Sequence, residues 1–115
     1  MMRQSIHYNQ DYKLNVMIKH IVLFGLDDTM PGNKKAHLTE IKKRLEALTQ
    51  EIDALKGMQV KFNVNPAENY DFMLIADVED MDALGVYAGH PSHVSIVKEL
   101  IAPYKVSRAC VDYEY

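Results

Sequence analysis

Within seven residues, Tyr87-Ala88-Gly89-His90-Pro91-Ser92-His93, the chain carries a phenol, two imidazoles and two backbone breakers. That is the equipment of proton transfer. A neutral histidine can remove a proton next to a carbonyl, and a tyrosine can donate a hydrogen bond to the oxyanion that develops. Tyr87 and His93 are the candidate catalytic pair. His93 falls in the first turn of a helix opened by Pro91, where the helix dipole disfavours the imidazolium by roughly 0.3–1 kcal/mol and so favours the neutral ring a base requires. The same residues also make a tight corner between two helices. Gly89 can end one helix, His90 is driven out of the α region by the following proline, and Pro91 starts the next. On that reading Tyr87 packs as an aromatic, His93 hydrogen-bonds the corner and His90 is an N-cap. Both readings stand on the sequence alone.

Two histidines lie elsewhere in the patterned chain. His20 shares a strand face with Val22 and Phe24, so it is either a satisfied core histidine or a polar group lining a pocket. His37, in the first turn of a charged helix, is expected to be solvated. His90 and His93 supply two metal ligands and His20 a third, but the motif holds no carboxylate and the chain no cysteine pair. No metal or other cofactor is therefore expected. Cys110 excludes an intrachain disulfide; in an apolar strand it reads as a small buried hydrophobe in a reducing, cytoplasmic setting.

The bulk composition narrows the classes further. At 115 residues, 48% hydrophobic and 25% charged, the chain suits one globular domain with one core. Its longest apolar run, Ile21-Val22-Leu23-Phe24, is far too short to cross a bilayer. The charge of -3 and the interleaving of Lys34, Lys35, Lys42, Lys43 and Arg44 with acids argue against nucleic acid as a partner. Residues 1–16 are polar and aperiodic, without the apolar stretch of a secretion signal, and are read as an N-terminal extension to a domain spanning 17–115.

The elements that must position the motif follow from periodicity. Met17 to Leu26 is a strand whose two faces, Ile18, His20, Val22, Phe24, Leu26 and Lys19, Ile21, Leu23, Gly25, are both largely apolar. Leu38, Ile41, Leu45, Leu48, Ile52 and Leu55 recur at helical spacing from about Asn33 to a C-terminal Gly57. Met58, Val60, Phe62 and Val64 alternate as a half-buried strand ending at Asn65-Pro66, and Phe72 to Val78 is a strand apolar on both faces. Asp80 caps a short helix holding Met81, Leu84 and Tyr87. The helix after Pro91 turns Val94, Val97, Leu100 and Ile101 inward. Val106 to Tyr115 is a last strand with Ala109, Val111 and Tyr113 on one face.

This order predicts an α+β, ferredoxin-like (split βαβ) subunit with helices on one face of an antiparallel sheet. Its other face is too apolar to stay wet. Burying several hundred Å² of it against a twin is worth on the order of 10 kcal/mol gross, at about 25 cal/mol per Å², before the costs of association. A homodimer is expected.

The opening Ile18-Lys19-His20-Ile21-Val22-Leu23-Phe24, the phrase from Tyr87 to His93 and the closing Val111-Asp112-Tyr113-Glu114 together resemble the stress-responsive α/β barrel (Dabb) family over residues 17–115. The resemblance implies a ferredoxin-like subunit that forms a dimeric α/β barrel. Plant members include a polyketide cyclase, a lyase that closes a linear polyketide thioester by aldol condensation. Its tyrosine and histidine correspond to Tyr87 and His93, and a further pocket histidine falls at Phe72 here. His20 lines the same pocket in that resemblance. The ligand-lining set expected on this basis is His20, Phe24, Phe72 and His90. Three functions remain: a protein binding a small apolar molecule between sheet and helices, a cyclase-like lyase using Tyr87 and His93, and a non-catalytic oligomeric stress protein. Pocket volume separates the third from the first two, and the lyase reading further requires Tyr87, His93 and His20 to converge within the pocket.

Overall fold

The computed structural model describes residues 16–115, so the reading of residues 1–16 as an extension lies, but for its last position, outside the described residues. Four strands, β1 (Ile18–Leu26), β2 (Gly57–Phe62), β3 (Phe72–Val78) and β4 (Lys105–Glu114), form one antiparallel sheet in the order β2-β3-β1-β4. Helices α1 (Lys34–Glu46), α2 (Met81–Gly89) and α3 (Pro91–Ile96) connect them. This is the ferredoxin-like α+β fold. The two-faced reading of β1 and β3 is met in full. Val22, Phe24, Phe72, Leu74, Ala76 and Val78 are buried under the helices, while Ile21, Leu23, Met73 and Ile75 on the opposite face stay partly exposed.

The caps sit where short polar side chains compete for helix N-termini. The Asn33 carboxamide accepts from the Ala36 N–H, and the Asp80 carboxylate from the Ala83 N–H, both at 2.8 Å. His90 is extended, with φ -65° and ψ 135°, as a residue before proline must be, and its Nδ1 accepts from the Ser92 N–H at 3.1 Å. It closes α2 and caps α3 together.

Several expectations are corrected. The long helix does not run to Gly57. α1 stops at Glu46, tightens into a 3₁₀ turn over Ala47–Gln50, and leaves Ile52 and Leu55 to turns. Those residues are buried nonetheless, because a tightening chain still returns every third or fourth side chain to one face. Gly57 opens β2, and neither it nor Gly89 takes a positive φ. Val64 is 91% exposed, since β2 ends at Phe62 and the Asn63 side chain folds the following loop by bonding the Asn65 and Tyr70 carbonyls. Met81 is exposed rather than packed. Beyond Pro91, Ile96 is buried and Val94 only partly so. After Ile96 the turns widen into a π-helix over Val97–Ile101, where Leu100 and Ile101 are buried and Val97 is packed against the core, as expected.

Two further residues depart from their expected roles. His37 is not solvated: its Nε2–H donates to the Leu100 carbonyl at 2.7 Å and its ring meets Tyr104 edge-on at 5.0 Å. Cys110 is not a buried hydrophobe. It lies on the edge strand β4, outside the helices' cover, and is exposed. Among the described residues no helix is long and apolar enough to cross a membrane.

Candidate functional site

Between sheet and helices lies a cavity of about 270 Å³. Its floor is His20, Val22 and Phe24 of β1 with Leu74 of β3, and Leu45 of α1 closes one side. Leu84, Tyr87 and Ala88 of α2 and His93 of α3 form the opposite wall, continued by Val97, Ile101 and Ala102. The π-turn, marked by the Ala102 N–H donating to Val97 O at 2.8 Å, is what delivers those last three. Lys105 and Arg108, both exposed, add positive charge on the β4 side.

Three of the residues singled out from sequence converge here. The Tyr87 and His93 rings are 4.4 Å apart and tilted by 44°, and His20 meets Tyr87 edge-on at 6.4 Å. Phe24 also lines the cavity. Phe72 does not; it is buried beneath, packed on Phe24 at 5.3 Å. Nor does His90, whose ring is taken up in capping α3.

The polar atoms at this site are unevenly satisfied. Tyr87 is 1% exposed and its hydroxyl is the one buried side-chain polar atom among the described residues with no hydrogen-bond partner. Burial pushes its pKa well above the ordinary phenol range, so it is a donor and not a base. His93 Nδ1–H donates to the Ala88 carbonyl at 2.8 Å, which fixes the tautomer and leaves Nε2 with a free lone pair. Burial lowers the His93 pKa, the Ala88 bond opposes that, and the neighbouring His20 and His90 lower it further. The net direction is toward a neutral ring at physiological pH. His20 Nδ1–H is held by the Asp112 carboxylate at 2.5 Å, across the β1–β4 register that places these two residues opposite each other.

Reasoning from sequence missed Asp112 and Cys110. His20 Nδ1, Cys110 Sγ and an Asp112 carboxylate oxygen all lie within 4.8 Å of one another, and they are the only such group of three metal-ligating side chains among the described residues. The His20, His90 and His93 set weighed from sequence does not form one. The alternation of β4 puts Cys110 and Asp112 on one face, which was the available signal; the register that sets them against His20 was not visible.

Comparison with known proteins agrees with this architecture. The family model for the stress responsive A/B barrel domain matches residues 18–115. A dimeric ferredoxin-like protein from Bacteroides fragilis is 40% identical, with a TM-score of 0.79 over 86% of this chain and 96% of that one. An uncharacterized Streptomyces coelicolor protein is 33% identical over 78 residues, covering 67% of this chain and 79% of the relative. A stress-response A/B barrel domain-containing protein from Arabidopsis thaliana is 29% identical over 84% of this chain, which spans only 36% of that relative's length.

Proposed function

This chain belongs to the stress responsive A/B barrel domain family, and we propose that it binds a small, largely apolar molecule in the cavity between sheet and helices, as a cytoplasmic homodimer. The observation that carries this reading is the Tyr87 hydroxyl. A buried donor without a partner costs roughly 1–3 kcal/mol, and a ligand oxygen placed against it recovers that cost. The remaining walls are mostly aliphatic and aromatic, with His93 and His20 as the other polar anchors and Lys105 and Arg108 on the β4 side. At about 270 Å³ the cavity lies just below the range for drug-sized ligands, so the ligand is compact: an apolar body with one carbonyl or similar acceptor. Titration with a panel of small aromatic ketones and aldehydes, followed by chemical-shift changes at the cavity residues, tests it. Saturable shifts confined to residues around Tyr87, and weakened in Tyr87→Phe, are the expected result. Shifts scattered over the surface, or none, defeat the reading.

One observation supports a second reading, a lyase. The tautomer set by Ala88 leaves His93 Nε2 as an acceptor beside a tyrosine that can only donate, which is the pairing an aldol-type proton transfer uses. Turnover of a carbonyl substrate that is lost in both Tyr87→Phe and His93→Ala, while binding persists in His93→Ala, would establish it.

A further inference from the structure

Behind His20, on the β4 side, the structure holds a second arrangement that shares only His20 with the cavity. His20 Nδ1 lies 3.6 Å from Cys110 Sγ, and Cys110 Sγ lies 3.8 Å from the Asp112 carboxylate oxygen that bonds the same nitrogen at 2.5 Å. A cysteine nucleophile in a Cys-His-Asp relay needs sulfur and carboxylate on opposite ring nitrogens, so that one orients the ring while the other exchanges the proton. Here both converge on Nδ1. The triangle cannot work as a relay; three donors around a common point are instead the makings of a coordination site.

The dimensions agree. With metal–ligand lengths of about 2.3 Å for sulfur and about 2.0–2.1 Å for nitrogen and oxygen, a tetrahedral zinc ion spaces its sulfur edges at roughly 3.5 Å and its nitrogen–oxygen edge at roughly 3.3 Å. The two sulfur edges are already near those values. Only the nitrogen–oxygen edge must open, by roughly 0.8 Å, and Asp112 is an exposed side chain able to do so. All three ligands stand on paired strands, His20 directly opposite Asp112 and Cys110 two residues along the same face. We propose that His20, Cys110 and Asp112 form a binding site for a borderline-soft divalent ion, zinc in the first instance, with a fourth position open to water or a ligand atom.

Binding replaces the Nδ1 proton, leaving the neutral ring protonated on Nε2, and converts the Cys110 thiol to thiolate, so about one proton is released per ion bound. The proposal does not depend on the cavity's occupant. Its test is titration of the full chain with Co²⁺, followed by displacement with Zn²⁺. Expected are one tetrahedral cobalt per chain, a thiolate-to-cobalt charge-transfer band in the near ultraviolet, and its loss on adding zinc. Cys110→Ser, a conservative change at an exposed position, should abolish the band, and Asp112→Asn should weaken affinity by at least about tenfold. X-ray absorption of the zinc-loaded wild-type protein should show one sulfur neighbour, a readout needing no variant. A wild-type titration without the charge-transfer band, or zinc bound with no sulfur neighbour, overturns the proposal, as does affinity unchanged in Cys110→Ser.

Discussion

At the scale of single residues, Tyr87 joins folding and function with opposite signs. Its ring fills the core under α2, yet its hydroxyl is buried unpaired, so Tyr87→Phe should stabilise the ligand-free protein by about 1 kcal/mol and weaken a carbonyl ligand by roughly tenfold. Thermal midpoints with and without ligand check both signs together. His93 has a pH signature. Its folded pKa lies below the ordinary value near 6.5, so the unfolded chain binds the proton more readily. Its contribution to stability is complete above about pH 6.5 and is lost as pH falls through the folded value. Urea midpoints between about pH 7.5 and 5 should therefore decline less in His93→Gln than in the parent; equal slopes would remove His93 as the cause. The chemistry of this pair was readable from residue types and the His-Pro corner alone. That Tyr87 lacks a partner, and that Nδ1 rather than Nε2 carries the His93 proton, depends on where the Ala88 carbonyl ends up, which no spacing rule reveals.

Among the elements, the outer strands show how side chains complete a sheet. β2 is an edge strand, and at Val60 its free backbone groups are both taken by α1: Glu46 accepts from the Val60 N–H at 2.9 Å and Lys42 donates to the Val60 carbonyl at 2.7 Å. Burial raises the Glu46 pKa, but its bonds to Lys42 and Val60 outweigh that and hold it below the ordinary carboxylate value. Lys42 and Lys34, which in the sequence stand only as part of a charge row interleaved with acids, are thus partly structural; Lys34 bonds the Leu26 carbonyl at 2.9 Å. Gly25, at the bulge between β1 and β4, has a different role. A Cβ there would meet the Ser107 side chain and stand 2.9 Å from the Asn69 backbone oxygen, which cannot rotate away. Gly25→Ala should cost about 1–3 kcal/mol in urea unfolding, whereas the same change at Gly85, which faces open space on an exposed turn of α2, should be neutral or stabilising. Apart from the end of β2, strand bounds and N-caps were legible because alternation and short polar caps are local. The end of α1 was not: Leu48, Ile52 and Leu55 keep helical spacing while the chain tightens, since burial constrains which side chains face inward and leaves the hydrogen-bond pattern free.

For the whole molecule, the open face of the sheet sets the state in solution. Ile21 pairs across strands with Ile75 and Val111, and Leu23 with Met73 and Ala109, so three adjacent strands present a continuous apolar patch opposite the helices. Val111 is 62% and Tyr113 46% exposed in the single chain. A patch of this kind on a small domain marks an interface, and the similar Bacteroides fragilis protein is dimeric. The margin of the patch differs in character: Lys19 bonds Asp77 at 2.6 Å, Tyr115 donates to the same carboxylate at 2.6 Å, and the Lys19 ammonium lies over the Tyr115 ring. An apolar centre with a satisfied polar rim is the anatomy of an association surface, and its central residues carry most of the energy. Ile75→Glu puts a charge at that centre without touching the helix-facing core, where Leu74 and Ala76 remain. It should shift a micromolar dimer to monomer in sedimentation velocity while far-ultraviolet circular dichroism stays unchanged. Lys43→Glu, at an exposed position of helix α1 on the other side of the sheet, should leave the dimer intact. Because the cavity lies on the other side of the sheet, ligand binding should survive in the Ile75→Glu monomer; binding lost together with the dimer would mean that the second subunit completes the site.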